Sequence, residues 1–292
     1  MSIVKSLSVD RGDMFYIYHD ANSFTVIDCC LVPRRRKEIL NEIREKRAAK
    51  RIYRFISTHP DKDHIYGLTD LNQRCPIDNF YVVKNNVSKH NKNEDFEEYK
   101  KFRDCPKAFH LARRCKRRWL NESNEEVQSA NIEILWPDTK DEHFKNGLQD
   151  AKRTDNPNNI SPIIRYQKED GSSFMWMGDL ETEFMEKILD KVELTRVDVL
   201  FAPHHGRDSG KVPRKWLKTL NPKIIVIGQA RSEYLNYYPG WNTITQNSAG
   251  DITFECRQRW THVYVSKPNY SEYFLRNLDK ENNFGGYYIG SF

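Results

Sequence analysis

The chain has 292 residues, of which 38% are hydrophobic, 12% aromatic and 30% charged. That length can bury a core without disulfide or metal staples, and that composition excludes wholesale disorder and a membrane-embedded body. Lys plus Arg number 47 against 41 Asp plus Glu, a formal net charge of +6, which permits a polyanionic partner without requiring one.

No run approaches the ~20 apolar residues of a spanning helix, and the first residues lack the basic, apolar, then small layout of a signal peptide. The expectation is a cytoplasmic protein with no membrane partner. The six cysteines, Cys29, Cys30, Cys75, Cys105, Cys115 and Cys256, form no C-x-x-C pair and are expected as reduced thiols.

In chain order, residues 3–30 hold two dense apolar runs, MFYIYHD and SFTVIDCC, separated by Asp20, Ala21, Asn22 and Ser23, which predicts a hairpin. After Pro33, Ile39, Leu40 and Ile43 recur at helical spacing among basic residues, so an amphipathic helix follows and leads into a strand, RIYRFIST. Phe80 to Val83 read as another buried strand. Residues 84–131 then turn polar, charged and helix-prone, as a surface insertion. Strands resume with IEILW at 132–136 and continue as SPIIRYQ, SSFMWMGD, VDVLFAP, KIIVIG, ITFEC and HVYVS, with helices near 181–192 and 213–220. The closing KENNFGGYYIGSF reads as a tail or a covering strand. No Gly/Ser-rich or Pro-rich linker and no solenoid repeat divides the chain. One mixed α/β domain over 1–292 is therefore predicted, with a basic helical insertion around 84–131 and a C-terminal extension around 258–292.

Three of the apolar strands end on Asp or His. In STHPDKDHIYG at 57–67, His59, Asp61, Asp63 and His64 fall within six residues, and imidazole and carboxylate so spaced on a strand-end loop suit one or two divalent ions. The alternative is a set of solvated turn charges, with Asp61 or Asp63 capping the helix that begins near Ile65. In WMGDLE, Asp179 ends a buried strand on a glycine turn, where a metal would compensate its charge, or it caps a helix. In VLFAPHHGRDSG, His204 and His205 offer one ring to a metal and the other to a proton or a phosphate. Open sheets build sites from loops beyond their carboxyl ends, so the three loops together point to a two-metal hydrolytic centre.

STHPDKDH resembles the signature loop of the metallo-β-lactamase-fold hydrolases, H-x-H-x-D-H, with Asp61 in place of the second histidine. Within that superfamily the chain is most similar to the C-terminal hydrolase domain of the bacterial DNA-uptake channel protein and its free-standing relatives. Their N-N-x-S, G-D and H-H-G-S patterns stand here as Asn158–Asn159–Ile160–Ser161, Gly178–Asp179 and His204–His205–Gly206–Arg207. The opening hairpin with its strand-end Asp28, IVIG followed by YYPG, and TQNSAGDITFE agree in order, so the resemblance covers about 9–257 apart from 84–131. It implies a metallo-β-lactamase-like four-layer αββα sandwich. It also implies His59 and Asp61 as ligands of one metal, Asp63 and His64 of the other, and Asp179 as the bridging carboxylate. His204 or His205 supplies the last ligand, with His204 preferred and His205 left for catalysis. Asp63 is further implied in holding the attacking water, and Asp28 in supporting the ligands.

The departures have consequences of their own. No histidine fills the additional ligand position before Asp179; Asn159 and Ser161 stand there as candidate substrate contacts, and His143 lies in a polar, surface-like PDTKDEHF setting. The first site is therefore expected to be weaker and richer in oxygen, and the cofactors are two divalent ions, Zn²⁺ or Mn²⁺, with Mg²⁺ a further candidate. Arg207 replaces the expected serine and is a candidate phosphate contact or a plain surface arginine.

Two basic segments bear on the substrate. Arg34, Arg35 and Arg36 open the first helix, and Arg113, Arg114, Lys116, Arg117 and Arg118 crowd the insertion beside Trp119. Clustered cations can track phosphate, with no spacing that calls for sequence-specific reading, and they also occur as solvated surface. The first expectation is a metal-dependent nuclease acting on DNA or RNA, with defence against invading DNA as a setting by analogy. The alternatives are a hydrolase of small phosphodiesters or other esters, with 84–131 as a lid, and a metal-poor non-catalytic subunit of a larger assembly.

Overall fold

The computed structural model describes residues 1–89 and 93–292. The first half runs β1 (Ser2–Ser6), β2 (Phe15–Tyr18), β3 (Ser23–Ile27), β4 (Cys29–Cys30), α1 (Arg36–Ala48), β5 (Ile52–Ser57), α2 (Lys62–Ile65), α3 (Leu68–Arg74), β6 (Asn79–Val82), α4 (Glu94–Arg103) and β7 (Phe109–His110). The second runs β8 (Ile132–Trp136), α5 (Glu142–Thr154), β9 (Ile163–Gln167), β10 (Ser173–Trp176), α6 (Thr182–Lys187), β11 (Val199–Phe201), α7 (Arg214–Leu220), β12 (Ile224–Ile227), β13 (Thr243–Thr245), α8 (Gln246–Ala249), β14 (Ile252–Cys256), β15 (Thr261–Val265) and β16 (Tyr287–Ser291).

These strands form two mixed sheets. One has the order β16-β15-β14-β1-β2-β3-β5-β6-β7 and the other β13-β12-β11-β10-β9-β8. Their inner faces meet along an aromatic seam: Phe15 lies 4.9 Å from Phe201, which stacks on Trp176 at 4.8 Å, while Phe254 meets Phe174 at 5.5 Å. Each fully buried large side chain of this kind contributes about 1.5–3 kcal/mol, so the seam holds the sheets face to face. The outer face of the first sheet packs Phe24, Tyr53, Phe55 and Phe80 against Ile39 and Ile43 of α1, Leu68 and Leu71 of α3, and Phe96 and Tyr99 of α4. Phe144 of α5, Phe184 of α6 and Trp216 of α7 join the core formed by the second sheet. The four-layer αββα sandwich implied by the resemblance is the fold observed. Strands covered on both faces explain the near-continuous apolar runs that mark them.

The hairpin at Asp20–Ser23, the helix after Pro33 and the succession of strands along the second half follow the sequence expectations. Two regions differ. Residues 84–131 hold, among those described, one helix, α4, and a two-residue strand, β7, that extends the first sheet parallel to β6. They are not a surface appendage, because Val87, Leu111, Leu120, Val127 and Ala130 are buried in the inter-sheet core. These apolar residues stand singly in polar sequence, so no periodicity announces them. Residues 90–92 of that segment lie outside the described residues. The C-terminal stretch takes the covering-strand form, β16 pairing antiparallel with β15. Helix α5 was not anticipated; Asp141 caps it by accepting hydrogen bonds from the His143 and Phe144 amides at 2.8 and 3.3 Å. Among the described residues, no helix is long and apolar enough to cross a membrane.

Candidate metal centre

Strands β3, β5 and β6 run parallel in one sheet, and β10, β11 and β12 in the other. The carboxyl ends of β5, β10 and β11 release the three loops singled out above, and the His204 amide donates to the Gly178 carbonyl at 3.0 Å, tying two of them together. Gly178 sits at φ +51°, and a Cβ there would lie 2.6 Å from Ser161, so only glycine lets this turn aim Asp179 inward.

His59, His64, His205 and Asp179 are all buried. The His64 Nε2 stands 3.2 Å from Asp179 Oδ1, and the His205 Nε2 stands 3.4 Å from both Asp179 Oδ2 and Asp63 Oδ2. The His59 Nε2 is 3.9 Å from Asp179 and 3.7 Å from Asp61, and the His204 Nε2 is 3.8 Å from Asp179. The structure thus brings together all six residues expected as ligands, together with His205. His205 lies innermost and His204 at the rim, with 0% and 15% of their side chains exposed.

Each ring is held by its other nitrogen. Asp28 accepts from His64 Nδ1 at 2.9 Å, and Asp13 pairs with His205 Nδ1 at 3.1 Å. The His59 Nδ1 lies 3.0 Å from the Thr58 hydroxyl and 3.2 Å from that of Ser161, and the His204 Nδ1 lies 2.9 Å from Ser209 Oγ. Thr58 gives its proton to Asp28 at 2.6 Å, so it accepts from His59. A ring whose Nδ1 carries the proton offers the Nε2 lone pair to a cation. The Nε2 atoms of His59, His64 and His205 and the Oδ1 of Asp179 are buried with no hydrogen-bond partner. Orphaned polar atoms in such number are costly in a folded interior, and a divalent ion satisfies them, so the donor set fits a metal.

Electrostatics within the cluster follow from the same contacts. Burial would raise the Asp179 carboxyl, but His64 and His205 hold it well below the ordinary range. Burial would lower His64 and His205, yet the carboxylates of Asp179 with Asp28, and of Asp179 with Asp13, raise them well above the usual value. His59 is pushed down by burial and by the neighbouring His64. These directions follow from rings and carboxylates standing 3.2 and 3.4 Å apart in a geometry that makes no hydrogen bond between them.

Ligand atoms of Asp13, His64, Asp179 and His205 all lie within 4.8 Å of one another, the one such group among the described residues. Asp13 escaped the sequence reading. It sits between β1 and β2, its amide bonded to the Asp63 carbonyl at 3.2 Å, and nothing in its spacing marks it. The one local sign is Gly12, whose Cβ would lie 2.5 Å from that same carbonyl. Lys89 was missed as well. Its ammonium pairs with Asp61 Oδ1 and reaches Asp155 at 3.4 Å, so the carboxylate standing where the resembling family has histidine already carries a cation. Asp61 occupies the backbone N-cap of α2 but makes no capping hydrogen bond, and Asp179 caps no helix, since Glu181 precedes α6.

The expected substrate contacts divide. Both ends of the Asn159 amide are engaged by Glu181, at 2.8 and 3.1 Å, and Ser161 serves His59 and the Asp179 amide. Arg207 is half-buried, and its Nε is buried without a hydrogen-bond partner. The first basic segment is tied to the body: Arg34 pairs with Asp10, Arg35 with Asp251 and Glu38, and Arg36 with Asp70 at 2.7 Å. In the second, Arg113 meets Asp138 at 3.1 Å and Arg114 meets Glu193 at 2.6 Å. Lys116 lies 3.9 Å from Glu122, and Arg117 and Arg118 lie over the rings of Phe109 and Trp119. His143 lies on the first turn of α5, outside the cluster.

A cavity of about 650 Å³ opens beside the centre, lined by Asp63 with Arg11, Lys62, Val9, Val32, Tyr66 and further residues. It can take a small ligand or a nucleotide-sized part of a larger one.

No family model and no curated protein matches this chain. Among solved structures, Igni18, a novel metallo hydrolase from the hyperthermophilic archaeon Ignicoccus hospitalis, is 14% identical with a TM-score of 0.49, over 87% of this chain and 99% of that one. A proposed Zn-dependent hydrolase of the metallo-β-lactamase superfamily from Thermotoga maritima is 12% identical with a TM-score of 0.35, over 80% and 79%. Likeness this distant carries no argument about activity, which rests on the centre itself.

Proposed function

We propose that this protein is a divalent-metal-dependent phosphodiester hydrolase of the metallo-β-lactamase type, acting on DNA or RNA. The observation that carries the reading is the convergence of three unpartnered imidazole Nε2 atoms and the Asp179 carboxylate, each ring steadied through its Nδ1. His64, His205, Asp179 and Asp63 would hold one ion, and His59, Asp61 and His204 a second, Zn²⁺ or Mn²⁺ by donor type, or Mg²⁺ on the oxygen-rich side. Lys89 competes for Asp61, which makes the second position the weaker one. When bound, the ions supply Lewis acidity toward water and toward a phosphoryl oxygen.

The chain's own groups do the rest. Asp28 and Asp13 fix the tautomers of His64 and His205. Asp63, with 40% of its side chain exposed, fronts the cavity and is placed to orient a water and accept its proton. Arg11 and Lys62 at the cavity and Arg207 on the flank of His205 offer positive charge to a phosphodiester, which a neutral ester or lactone would not use. The cavity's volume also favours a second reading, hydrolysis of a small phosphodiester such as a cyclic dinucleotide.

The test is turnover by metal-stripped protein reloaded with Mn²⁺, Zn²⁺ or Mg²⁺, on single- and double-stranded DNA, RNA and cyclic dinucleotides. Metal-dependent cleavage of a polymer that Asp179→Asn lowers by at least about a thousandfold is the expected outcome. Cleavage of the small diester alone supports the second reading, and turnover unchanged by Asp179→Asn removes this centre as its source.

A further inference from the structure

The loop that follows β12 lies against the histidine loop. The Asn236 amide donates to the Gly206 carbonyl at 2.8 Å, and Arg207 bridges Leu235 in antiparallel fashion. Leu235, Asn236 and Tyr238 are buried, so the inner side of this loop is clamped to the body. Tyr234 and Tyr237 alternate with those anchors and remain 52% and 45% exposed. Exposed large hydrophobic side chains are scarce elsewhere: Met1, Tyr273 and Tyr287 complete the set among the described residues. Two of five therefore stand on one short loop whose next contact is the residue after His205.

Charge accompanies the rings. Arg207 sits beneath the loop with a buried, unpartnered Nε. Arg231, at the start of the loop, is 64% exposed and among the described residues meets only Glu233, at 3.5 Å, an exposed pair too weak to hold it. The loop also opens from Gln229 and Ala230, which line the cavity beside Asp63, so the segment that carries the rings starts at the rim of that cavity.

Aromatic faces alternating with cations along a groove are what an unpaired strand requires, because each base stacks by its face while its phosphate is neutralised in passing. A duplex hides those faces within its own stack.

The geometry points to a base-stacking subsite formed by Tyr234 and Tyr237, with Arg207 and Arg231 on the phosphates, that makes single-stranded nucleic acid the substrate of the adjoining centre. This inference rests on the phosphodiesterase reading above.

The experiment is fluorescence anisotropy on the full chain carrying Asp179→Asn to prevent turnover. Its probes are an oligothymidylate of about 12 nucleotides, an abasic oligomer of equal length and a blunt duplex. The oligothymidylate should bind about tenfold or more tightly than the abasic strand; Tyr234→Ala/Tyr237→Ala should erase that preference and Tyr234→Phe/Tyr237→Phe should retain it. Equal binding of the two strands, a preference that survives the double alanine change, or preference for the duplex overturns the proposal. Failure of the hydrolase reading shows separately, as no metal-dependent turnover by the unsubstituted chain of a simple diester that lacks a nucleobase.

Discussion

Asp28 never faces the cavity where chemistry would occur, yet replacing it by asparagine should weaken metal binding. Its carboxylate accepts three hydrogen bonds, from the Thr58 amide at 2.8 Å, the Thr58 hydroxyl at 2.6 Å and His64 Nδ1 at 2.9 Å. An asparagine has one oxygen for these donors. If that oxygen serves the Thr58 amide, the NH₂ group opposes the His64 Nδ1 proton and drives it to Nε2, where it blocks the lone pair a metal needs. The opposite flip would orphan the Thr58 N–H at about 1–3 kcal/mol, so the first arrangement is the one expected. Its tautomer change matches the ~10–100-fold loss typical when a ligand's supporting partner is changed, equivalent to about 1.4–2.7 kcal/mol. The metal-free fold should hardly notice, because burial pushes the Asp28 carboxyl up despite His64 and Thr58, and a neutral group relieves that cost. Competition against a chromophoric chelator measures the affinity, and thermal melts of stripped protein measure the fold. Wild-type affinity in Asp28→Asn, or an affinity loss matched by an equal loss of apo stability, would refute the tautomer argument.

Two further predictions concern charge. Lys89→Gln frees Asp61 and should tighten the weaker of two metal equivalents by about fivefold, the value of a half-buried pair worth about 1 kcal/mol; unchanged stepwise affinities in metal titration would speak against it. Asp251 accepts two bonds from Arg35 and one from the Ser8 amide, beside Lys5 at 3.5 Å; burial would raise its carboxyl, and these partners hold it below the usual range. A depressed folded-state value means stability present above the unfolded value, near pH 4, and lost as pH falls through the folded one. Asp251→Asn should therefore cost about 3–5 kcal/mol in urea melts at pH 7, with the gap to wild type closing in acid. A gap of constant size from pH 7 to pH 3 contradicts this pairing as the cause.

The parts of the molecule that could be read in advance are those whose chemistry is written locally. Strands covered on both faces produce runs such as FMWM and IIVI, and the ligand loops begin where those runs stop. Helix α5 presents Phe144, Gly147, Leu148 and Ala151 to the core at i, i+3, i+4 and i+7, a helical period that a reading of this stretch as successive strands passes over. The core residues of 84–131 are single apolar side chains placed by tertiary contact. Asp13 and Lys89 reach the centre for the same reason, from loops 46 and 28 positions away from His59 and Asp61 respectively. The order of the adjacent rings was likewise beyond a linear reading. Both His204 and His205 take positive φ, 51° and 56°, and that paired left-handed turn sends one ring inward and leaves the other at the mouth.

The centre is also a fastener. His64 and Asp179 meet at 3.2 Å although 115 positions separate them, and one comes from the first sheet's loops and the other from the second's. No disulfide is formed by the cysteines, so an ion gripped from both sides would supply a local cross-link between the halves. At a thousandfold excess over its dissociation constant, an ion that binds only the assembled state adds about 4 kcal/mol to it. Metal supply would then govern how long the two sheets stay docked as well as what they do together.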